Sequence, residues 1–218
     1  MQNVLFDLDG TLTDSSLGIT RCVQYALEKL NRPVPEAEEL LFCIGPPLIE
    51  SFATLLDGEP ATLAKEAVAL YRERFDRIGK FENRVYAEIP EALDSLVEQG
   101  FSLFLATSKP EIFARQILDH FELSIFFNGV YGSRLDGSLC DKGQLIGHVM
   151  QQEQLPKEAT VMVGDRRHDM IGARTCDIGR IGVTYGFGSE TELREAGADY
   201  LVDAPLGLAD LLPRLRQG

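Results

Sequence analysis

The chain has 218 residues, a formal net charge of −13 and a hydrophobic fraction of 44%. This length predicts one domain, with or without a large insertion, and the hydrophobic fraction is sufficient for a packed core. The negative charge argues against DNA or RNA as the main partner. It still allows a small anionic ligand, because a metal ion or a single lysine can reverse the local field.

The four cysteines are far apart in the chain and form no CxxC pair: Cys22, Cys43, Cys140 and Cys176. This spacing favours reduced thiols over a disulfide framework or a zinc site. The first residues enter a strand without a basic region or a signal-peptide core, and no apolar run approaches the ~18 residues of a membrane span. We therefore expect a cytoplasmic protein with no membrane partner.

In chain order, the pattern predicts a strand, a helical segment and then alternating strands and helices. Residues 4–8 are apolar on both faces, which is typical of a buried parallel strand. From residue 15 to about 78, apolar residues recur at helical spacing in three segments, without a strand pattern. Further strands are predicted at 101–106, 127–131, 160–163, 180–184 and 200–202, and helices from Pro90 to Gly100 and at 110–120, 141–152, 169–176, 191–196 and 206–215.

This alternation predicts an α/β fold, in which a Rossmann-like, doubly wound parallel sheet carries an all-helical domain inserted after the first strand. The expected boundaries are 1–14 and 84–218 for the core and 15–83 for the insertion. In such a sheet, ligands bind beyond the carboxyl ends of the strands, where the strand order reverses. If the second and third strands lie on one side of the first, and the fourth and fifth on the other, this point falls between strands one and four.

Two carboxylates, Asp7 and Asp9, follow the first strand. Their proximity raises the cost of ionising both unless a cation is present, and a divalent ion with oxygen ligands is the simplest partner. Asp7 is the candidate nucleophile, because a carboxylate that attacks phosphorus gives an aspartyl phosphate. Asp9 is the candidate acid and base. Capping of the next helix is the simpler alternative, but a cap needs one acid rather than two.

Three later groups of polar residues also follow predicted strands. Thr107 and Ser108 offer a hydroxyl and main-chain N–H groups that suit a phosphate, although an ordinary helix cap gives the same pattern. Lys142 opposes the dipole of its helix, so neutralisation of a phosphoryl group would explain it, whereas most single lysines are simply exposed. Asp165 and Asp169 fit a Mg²⁺ site, and a polar loop that caps a helix is the alternative.

The order of these motifs resembles the haloacid dehalogenase-like hydrolases. Residues 7–11 match the first motif of that family, residues 107–108 the second, Lys142 the third and residues 164–169 the fourth, so the resemblance spans the whole chain. The helical insertion is similar to the type 1 cap of the family. The phosphoglycolate phosphatase branch, which includes bacterial 5′-nucleotidases, is the most similar at residues 9–15, 44–48 and 131–137. One departure is Ser108, where many relatives in this branch carry Asn.

The resemblance implies a Mg²⁺ cofactor and a role for each motif. Asp7 would be the nucleophile and a metal ligand, and Asp9 would be the acid and base and offer its main-chain carbonyl to the metal. Thr107 and Lys142 would hold the phosphoryl group, with Ser108 beside the substrate. Asp165 would complete the metal site, with Asp169 binding the metal directly or through water.

The insertion would decide the substrate. The turn that begins at Gly45 is predicted to face the active site and to contact the substrate, although a turn that only starts a helix has the same pattern. The arginines Arg72, Arg74 and Arg77 could meet an anionic substrate, but a solvated helix face explains them as well.

The expected function is therefore a Mg²⁺-dependent phosphatase that acts on a small phosphorylated metabolite, as phosphoglycolate phosphatases do. A 5′-nucleotidase and a sugar phosphomutase are the enzymatic alternatives. A phospho-receiver domain shares the acid pair, the hydroxyl and the lysine, but such domains are shorter and lack the helical insertion. An inactive binding protein is the last alternative, and either a monomer or a homodimer fits the sequence.

Overall fold

The computed structural model describes residues 1–216 and divides the chain into two units. One unit comprises Met1–Thr13 together with the chain from Val85 onward, and the other comprises Asp14–Arg84. The first unit begins with strand β1 (Asn3–Phe6), and the chain leaves it through the short strand β2 (Thr13–Asp14). The observed division lies one residue from the predicted boundary at each end of the insertion.

The Asp14–Arg84 unit contains the three helices that the apolar spacing predicts. They are α1 (Ser16–Lys29), α2 (Leu48–Leu55) and α3 (Ala61–Arg77), and two 3-10 helices at Ala37–Cys43 and Gly79–Phe81 were not predicted. Its aromatic core includes Tyr71 stacked on Phe75 with ring centroids 5.4 Å apart, and Phe52 edge-on to Tyr71. The chain returns through β3 (Arg84–Val85), which pairs with β2 in a two-stranded sheet.

The larger unit is built on a six-stranded parallel sheet. After β1 its strands are β4 (Ser102–Pro110), β5 (Gly129–Ser133), β6 (Thr160–Gly164), β7 (Gly179–Val183) and β8 (Tyr200–Val202). The order is β5-β4-β1-β6-β7-β8, and the neighbouring strands are parallel. The predicted reversal of strand order between the first and fourth predicted strands, β1 and β6, is confirmed, and so is the Rossmann-like fold class.

Helices connect these strands, and one more helix follows the last strand. They are α4 (Ile89–Glu98), α5 (Glu111–His120), α6 (Lys142–Gln152), α7 (Arg167–Thr175), α8 (Glu190–Glu195) and α9 (Leu206–Arg216). Each lies within a few residues of its predicted range. Within the described residues, we find no helix with both the length and the hydropathy needed to cross a membrane.

Strand β1 is the centre of the sheet and is buried on both faces. Leu5 of β1 lies with Phe104 of β4 and Met162 of β6 in one apolar cluster on one face of the sheet. Side chains of α6 and α7 pack against this face and belong to the same cluster. Val4 and Phe6, which point to the opposite face, are also fully buried. Burial on both faces is what parallel sheets require, and it holds the end of β1 in a fixed position between its two neighbours.

Leu5→Ala tests this central position. We expect it to lower the free energy of unfolding by about 2–5 kcal/mol, because it leaves a cavity in a core that cannot collapse around it. Urea denaturation of the wild type and the variant measures the difference. Ile125→Ala is the matched control, since the Ile125 side chain is 80% exposed and its loss should change stability by less than about 0.5 kcal/mol. Equal losses in the two variants would contradict the assignment of Leu5 to the core.

Candidate active site

Asp7 lies directly beyond the end of β1, at the reversal of strand order. Its main-chain N–H donates to the carbonyl of Val163 in β6 at 3.0 Å, which extends the parallel pairing by one residue. This bond holds the Asp7 backbone against β6, and the residue is only 5% exposed. A carboxylate is therefore held with little contact to water at the carboxyl edge of the sheet, where ligands of such sheets bind.

Lys142, the first residue of α6, supplies the positive charge next to Asp7. Its ammonium lies 3.0 Å from Oδ1 of Asp7 and 2.8 Å from Oδ1 of Asp169, and it donates to the carbonyl of Ala106 at 3.0 Å. Burial by itself would lower the pKa of Lys142, but the charges of Asp169 and Asp7 outweigh it and raise the pKa above its usual value. The lysine that opposes its helix dipole is thus explained by two carboxylates.

Asp165 and Asp169 follow β6 and complete an acidic cluster. Carboxylate oxygens of Asp7, Asp165 and Asp169 all lie within 4.8 Å of one another, and Asp165 is fully buried. Asp165 accepts hydrogen bonds from the N–H of Phe187 at 2.8 Å and from the hydroxyl of Thr11 at 3.4 Å. Loss of hydration, together with the negative charges of Asp169 and Asp7, raises the pKa of Asp165 well above its usual value.

The carboxylate of Asp169 is held by the main-chain N–H of Arg166 and by the ammonium of Lys142. Its Oδ2 accepts from the N–H of Arg166 at 3.1 Å, at the start of α7. Burial raises the pKa of Asp169, the ammonium of Lys142 opposes that shift, and the charge of Asp7 adds to it. Buried carboxylates whose ionised forms are disfavoured in this way are a suitable set of ligands for a divalent cation.

The loop after β7 forms the wall beside Asp165. A Cβ atom at Gly186 or Gly188 would overlap atoms of Asp165, and so would a Cβ atom at Gly10, whose φ of +81° also favours glycine. Tyr185 donates its hydroxyl to the carbonyl of Thr11 at 3.0 Å, which ties this loop to the turn after β1. The sequence analysis missed this loop, although two glycines one residue apart after a predicted strand were a usable signal.

Asp9 points to a different partner. Its carboxylate contacts the ammonium of Lys109 in an ion pair of 2.7 Å, and both residues are 8% exposed. The acidic cluster contains the side chains of Asp7, Asp165 and Asp169, so Asp9 would join a metal site through its main-chain carbonyl, which stays a prediction. Sequence reasoning assigned no role to Lys109.

The remaining predicted residues lie at two different places. Thr107 lies in β4, next to the Ala106 carbonyl that receives Lys142, and its hydroxyl accepts from the N–H of Lys109 at 3.3 Å. Ser108 accepts a hydrogen bond through its carbonyl from the hydroxyl of Ser133 at 2.7 Å. Gly45 belongs to the Asp14–Arg84 unit, in the turn before α2, with a φ of +104°. The substrate-binding roles of these three residues stay predictions.

The parallel α/β sheet carries buried acids and a lysine at the reversal of its strand order, and comparison with known proteins identifies the family. The family model for haloacid dehalogenase-like hydrolases matches residues 4–183, which is most of the chain. The chain therefore belongs to the haloacid dehalogenase-like hydrolases, as its motifs predicted.

The similar proteins include several phosphatases. A 5′-nucleotidase of Pseudomonas aeruginosa is 50% identical over 192 residues, with 88% of this chain and 86% of the relative covered. A phosphoglycolate phosphatase of Colwellia psychrerythraea is 30% identical over 210 residues, with 92% of each chain covered. The crystal structure of a predicted phosphatase from Clostridium acetobutylicum has a TM-score of 0.92 at 42% identity and covers 100% of this chain and 99% of that chain. These similarities support the phosphatase class.

One relative carries a different name. Tyrosine-protein kinase PtkA of Mycobacterium tuberculosis is 38% identical over 187 residues, which cover 86% of this chain and 63% of the relative. Its name refers to phosphoryl transfer rather than to hydrolysis, so a kinase test belongs beside the phosphatase tests.

Asp165→Asn tests the electrostatic cost of the cluster. The raised pKa of Asp165 means that its ionisation disfavours the folded state near neutral pH, and that this penalty fades as the pH falls toward the ordinary carboxyl range. In EDTA at pH 7 we expect the variant to unfold at a higher temperature than the wild type; in a chain of this size each ~1 kcal/mol of stability gained would raise Tm by about 2–4 °C.

The advantage of Asp165→Asn should shrink as the pH falls toward about 4, because the folded-state carboxyl takes up its proton first and the unfolded-state carboxyl follows only at its ordinary, lower pKa. Thermal unfolding followed by circular dichroism at several pH values measures it. Asp94→Asn, which changes an exposed acid on α4, is the control and should leave Tm nearly unchanged. An advantage that is absent at pH 7, or that grows as the pH falls, would contradict the expected cost.

Proposed function

We propose that this protein hydrolyses small phosphate monoesters with the help of Mg²⁺ and through a phosphorylated Asp7. The observation that carries the proposal is the buried cluster of Asp7, Asp165 and Asp169 with Lys142 placed between two of its members. An arrangement of this kind suits the transfer of a doubly charged phosphoryl group, which needs both a carboxylate nucleophile and a local excess of positive charge.

The donor set fits a divalent cation. Three carboxylates and one ammonium leave a charge of −2 in the cluster when all four are ionised, and a single divalent ion would neutralise it. Oxygen ligands favour Mg²⁺, which also keeps waters and binds substrate phosphate. Asp7, Asp165 and Asp169 would hold the ion with the main-chain carbonyl of Asp9, and the bound ion would supply Lewis acidity at the phosphate oxygens.

The protein groups then divide the work. The carboxylate of Asp7 attacks phosphorus, the bond to the leaving oxygen breaks, and that oxygen takes a proton from Asp9. Water next attacks the phosphorus of the aspartyl phosphate and gives its proton to Asp9, which releases inorganic phosphate and restores Asp7. Lys142 orients Asp7 and offsets the charge of the phosphoryl group, with Thr107 and Ser108 as further phosphate ligands.

Small phosphorylated metabolites are the proposed substrates. The names of two relatives, a 5′-nucleotidase and a phosphoglycolate phosphatase, support nucleoside 5′-monophosphates and phosphoglycolate as the first compounds to test. The turn at Gly45 in the helical unit is proposed to contact the part of the substrate beyond its phosphate.

A phosphate-release assay over a panel of phosphorylated metabolites decides among these substrates. Nucleoside monophosphates, phosphoglycolate and sugar phosphates are compared by kcat/KM with Mg²⁺ present, and we expect one chemical class to exceed the others. Isomerisation of a sugar phosphate without phosphate release would point to a mutase. Transfer from ATP to a tyrosine peptide, without hydrolysis of any panel member, would favour the activity named for PtkA.

Asp7→Asn tests the nucleophile. We expect turnover of 4-nitrophenyl phosphate to fall by at least about 10³-fold, because an amide cannot form the covalent intermediate, while circular dichroism shows an unchanged fold. Asp94→Asn is the control with the same chemical change at an exposed position and should keep full activity. Comparable activity in Asp7→Asn and the wild type would overturn the assignment of Asp7.

Metal dependence is tested by activity and by stability. EDTA should abolish turnover and Mg²⁺ should restore it. Mg²⁺ should also raise the Tm of the wild type, because an ion that binds only the folded state stabilises it, whereas Asp165→Asn should show little or no such rise. Full turnover in EDTA, or equal Mg²⁺-induced shifts in both proteins, would argue against the site.

A further inference from the structure

We propose that Lys109 is a positioning residue that orients the carboxylate of Asp9 for proton transfer. The inference rests on the proposed function, because it takes Asp9 to be the group that exchanges a proton with the leaving oxygen and with water. Lys109 follows Ser108 at the end of β4 and is buried. Lysines are seldom buried unless they are paired with an opposite charge.

The contact between the two side chains is close and two-sided. The ammonium of Lys109 lies 2.8 Å from Oδ1 and 2.7 Å from Oδ2 of Asp9. The side chains are 5% and 11% exposed, respectively, so water and salt screen their attraction far less than at a surface. Because both carboxylate oxygens are engaged by one charged donor, the pair favours a single orientation of Asp9.

Lys109 lies within the register shift of β4 between Thr107 and Pro110, where other contacts hold its main chain. Its N–H donates to the Thr107 hydroxyl, and its carbonyl lies so near Gly132 of β5 that a Cβ atom there would overlap it. The hydroxyl of Ser133 donates to the preceding carbonyl, that of Ser108. Asp9 lies just after β1, where it forms an isolated β-bridge with Thr13. The strand end thus fixes the lysine, and the lysine fixes the carboxylate.

Two buried lysines therefore serve the two acids of the first motif separately. Lys142 is paired with Asp7 and Asp169, whereas Lys109 is paired with Asp9. This separation keeps the attacking carboxylate and the proton-carrying carboxylate in distinct orientations, although only one residue lies between them in sequence.

The proposed role has a distinctive kinetic consequence. An alkoxide is a poor leaving group and needs the proton of Asp9 as the bond to phosphorus breaks, whereas 4-nitrophenolate leaves readily without it. Lys109 keeps its own protons in both steps, so its effect is exerted only through Asp9. Loss of Lys109 should therefore impair the cleavage of alkyl phosphates more than that of 4-nitrophenyl phosphate.

Lys109→Met and Asp9→Asn are compared by kcat/KM on 4-nitrophenyl phosphate and on the best alkyl phosphate of the panel. For Asp9→Asn we expect a loss of about 10²–10⁴-fold on the alkyl phosphate and a much smaller loss on the aryl phosphate. For Lys109→Met we expect the loss on the alkyl phosphate to be at least about 10-fold larger than the loss on the aryl phosphate. The reason is that a misoriented acid transfers its proton less effectively. Lys109→Arg should recover part of the loss and also serves if Lys109→Met fails to fold.

The double variant separates an effect through Asp9 from an independent one. If Lys109 acts only through Asp9, then Asp9→Asn combined with Lys109→Met should be no slower than Asp9→Asn alone. Lys80→Met is the matched control, because Lys80 is also a buried lysine, 2.7 Å from Asp76, and its loss should leave the ratio between the two substrates unchanged.

Equal losses of Lys109→Met on both substrates, a rise in KM alone, or losses that multiply with those of Asp9→Asn would each overturn the positioning role. An Asp9→Asn variant without dependence on the leaving group would instead refute the proposed acid role of Asp9, and the positioning role with it. Inactivity of the wild type toward every phosphate ester would refute the proposed function itself. The three failures are therefore distinguishable.

Discussion

Three carboxylates in a volume that excludes water are the constraint on which this molecule depends. One ammonium, that of Lys142, offsets part of their charge. The pKa of Asp165 nevertheless stays well above its usual value. No flexible surface could hold such groups together against their repulsion. The continuous apolar burial of β1 and its two neighbours provides the rigid frame, so the sheet stabilises an arrangement that is itself unfavourable in the absence of a cation.

Much of this arrangement could be predicted because the ends of parallel strands meet at one edge. The apolar run before Asp7 and the run before Asp165 both identify buried strands, and alternation with helices makes those strands parallel. Once the order of the strands is known, the two acidic groups have to lie near each other. Lys142 was harder to predict, because one lysine at a helix start differs little from many exposed lysines, and only the carboxylates at 2.8 and 3.0 Å explain it.

The parts that sequence reasoning missed depend on side-chain direction and loop path. Asp9 lies two residues after Asp7, yet one pairs with Lys109 and the other with Lys142, a choice set by the turn after β1 rather than by residue type. The contact between Phe187 and Asp165 likewise requires the loop after β7 to fold back over the neighbouring strand end. No periodicity encodes such a path.

The glycines around Asp165 have a consequence for how this enzyme is able to change. Gly10 and Gly186 bring main chain directly against the side chain of Asp165, and Gly188 lies against its main-chain carbonyl, so a side chain at any of these positions would displace Asp165. Single substitutions therefore cannot reshape this wall of the site. The turn after β1 and the loop after β7 have to change together. Changes in specificity are therefore expected at positions outside this wall. Residues beside Asp165 should stay constant, while residues that recognise the leaving group should vary.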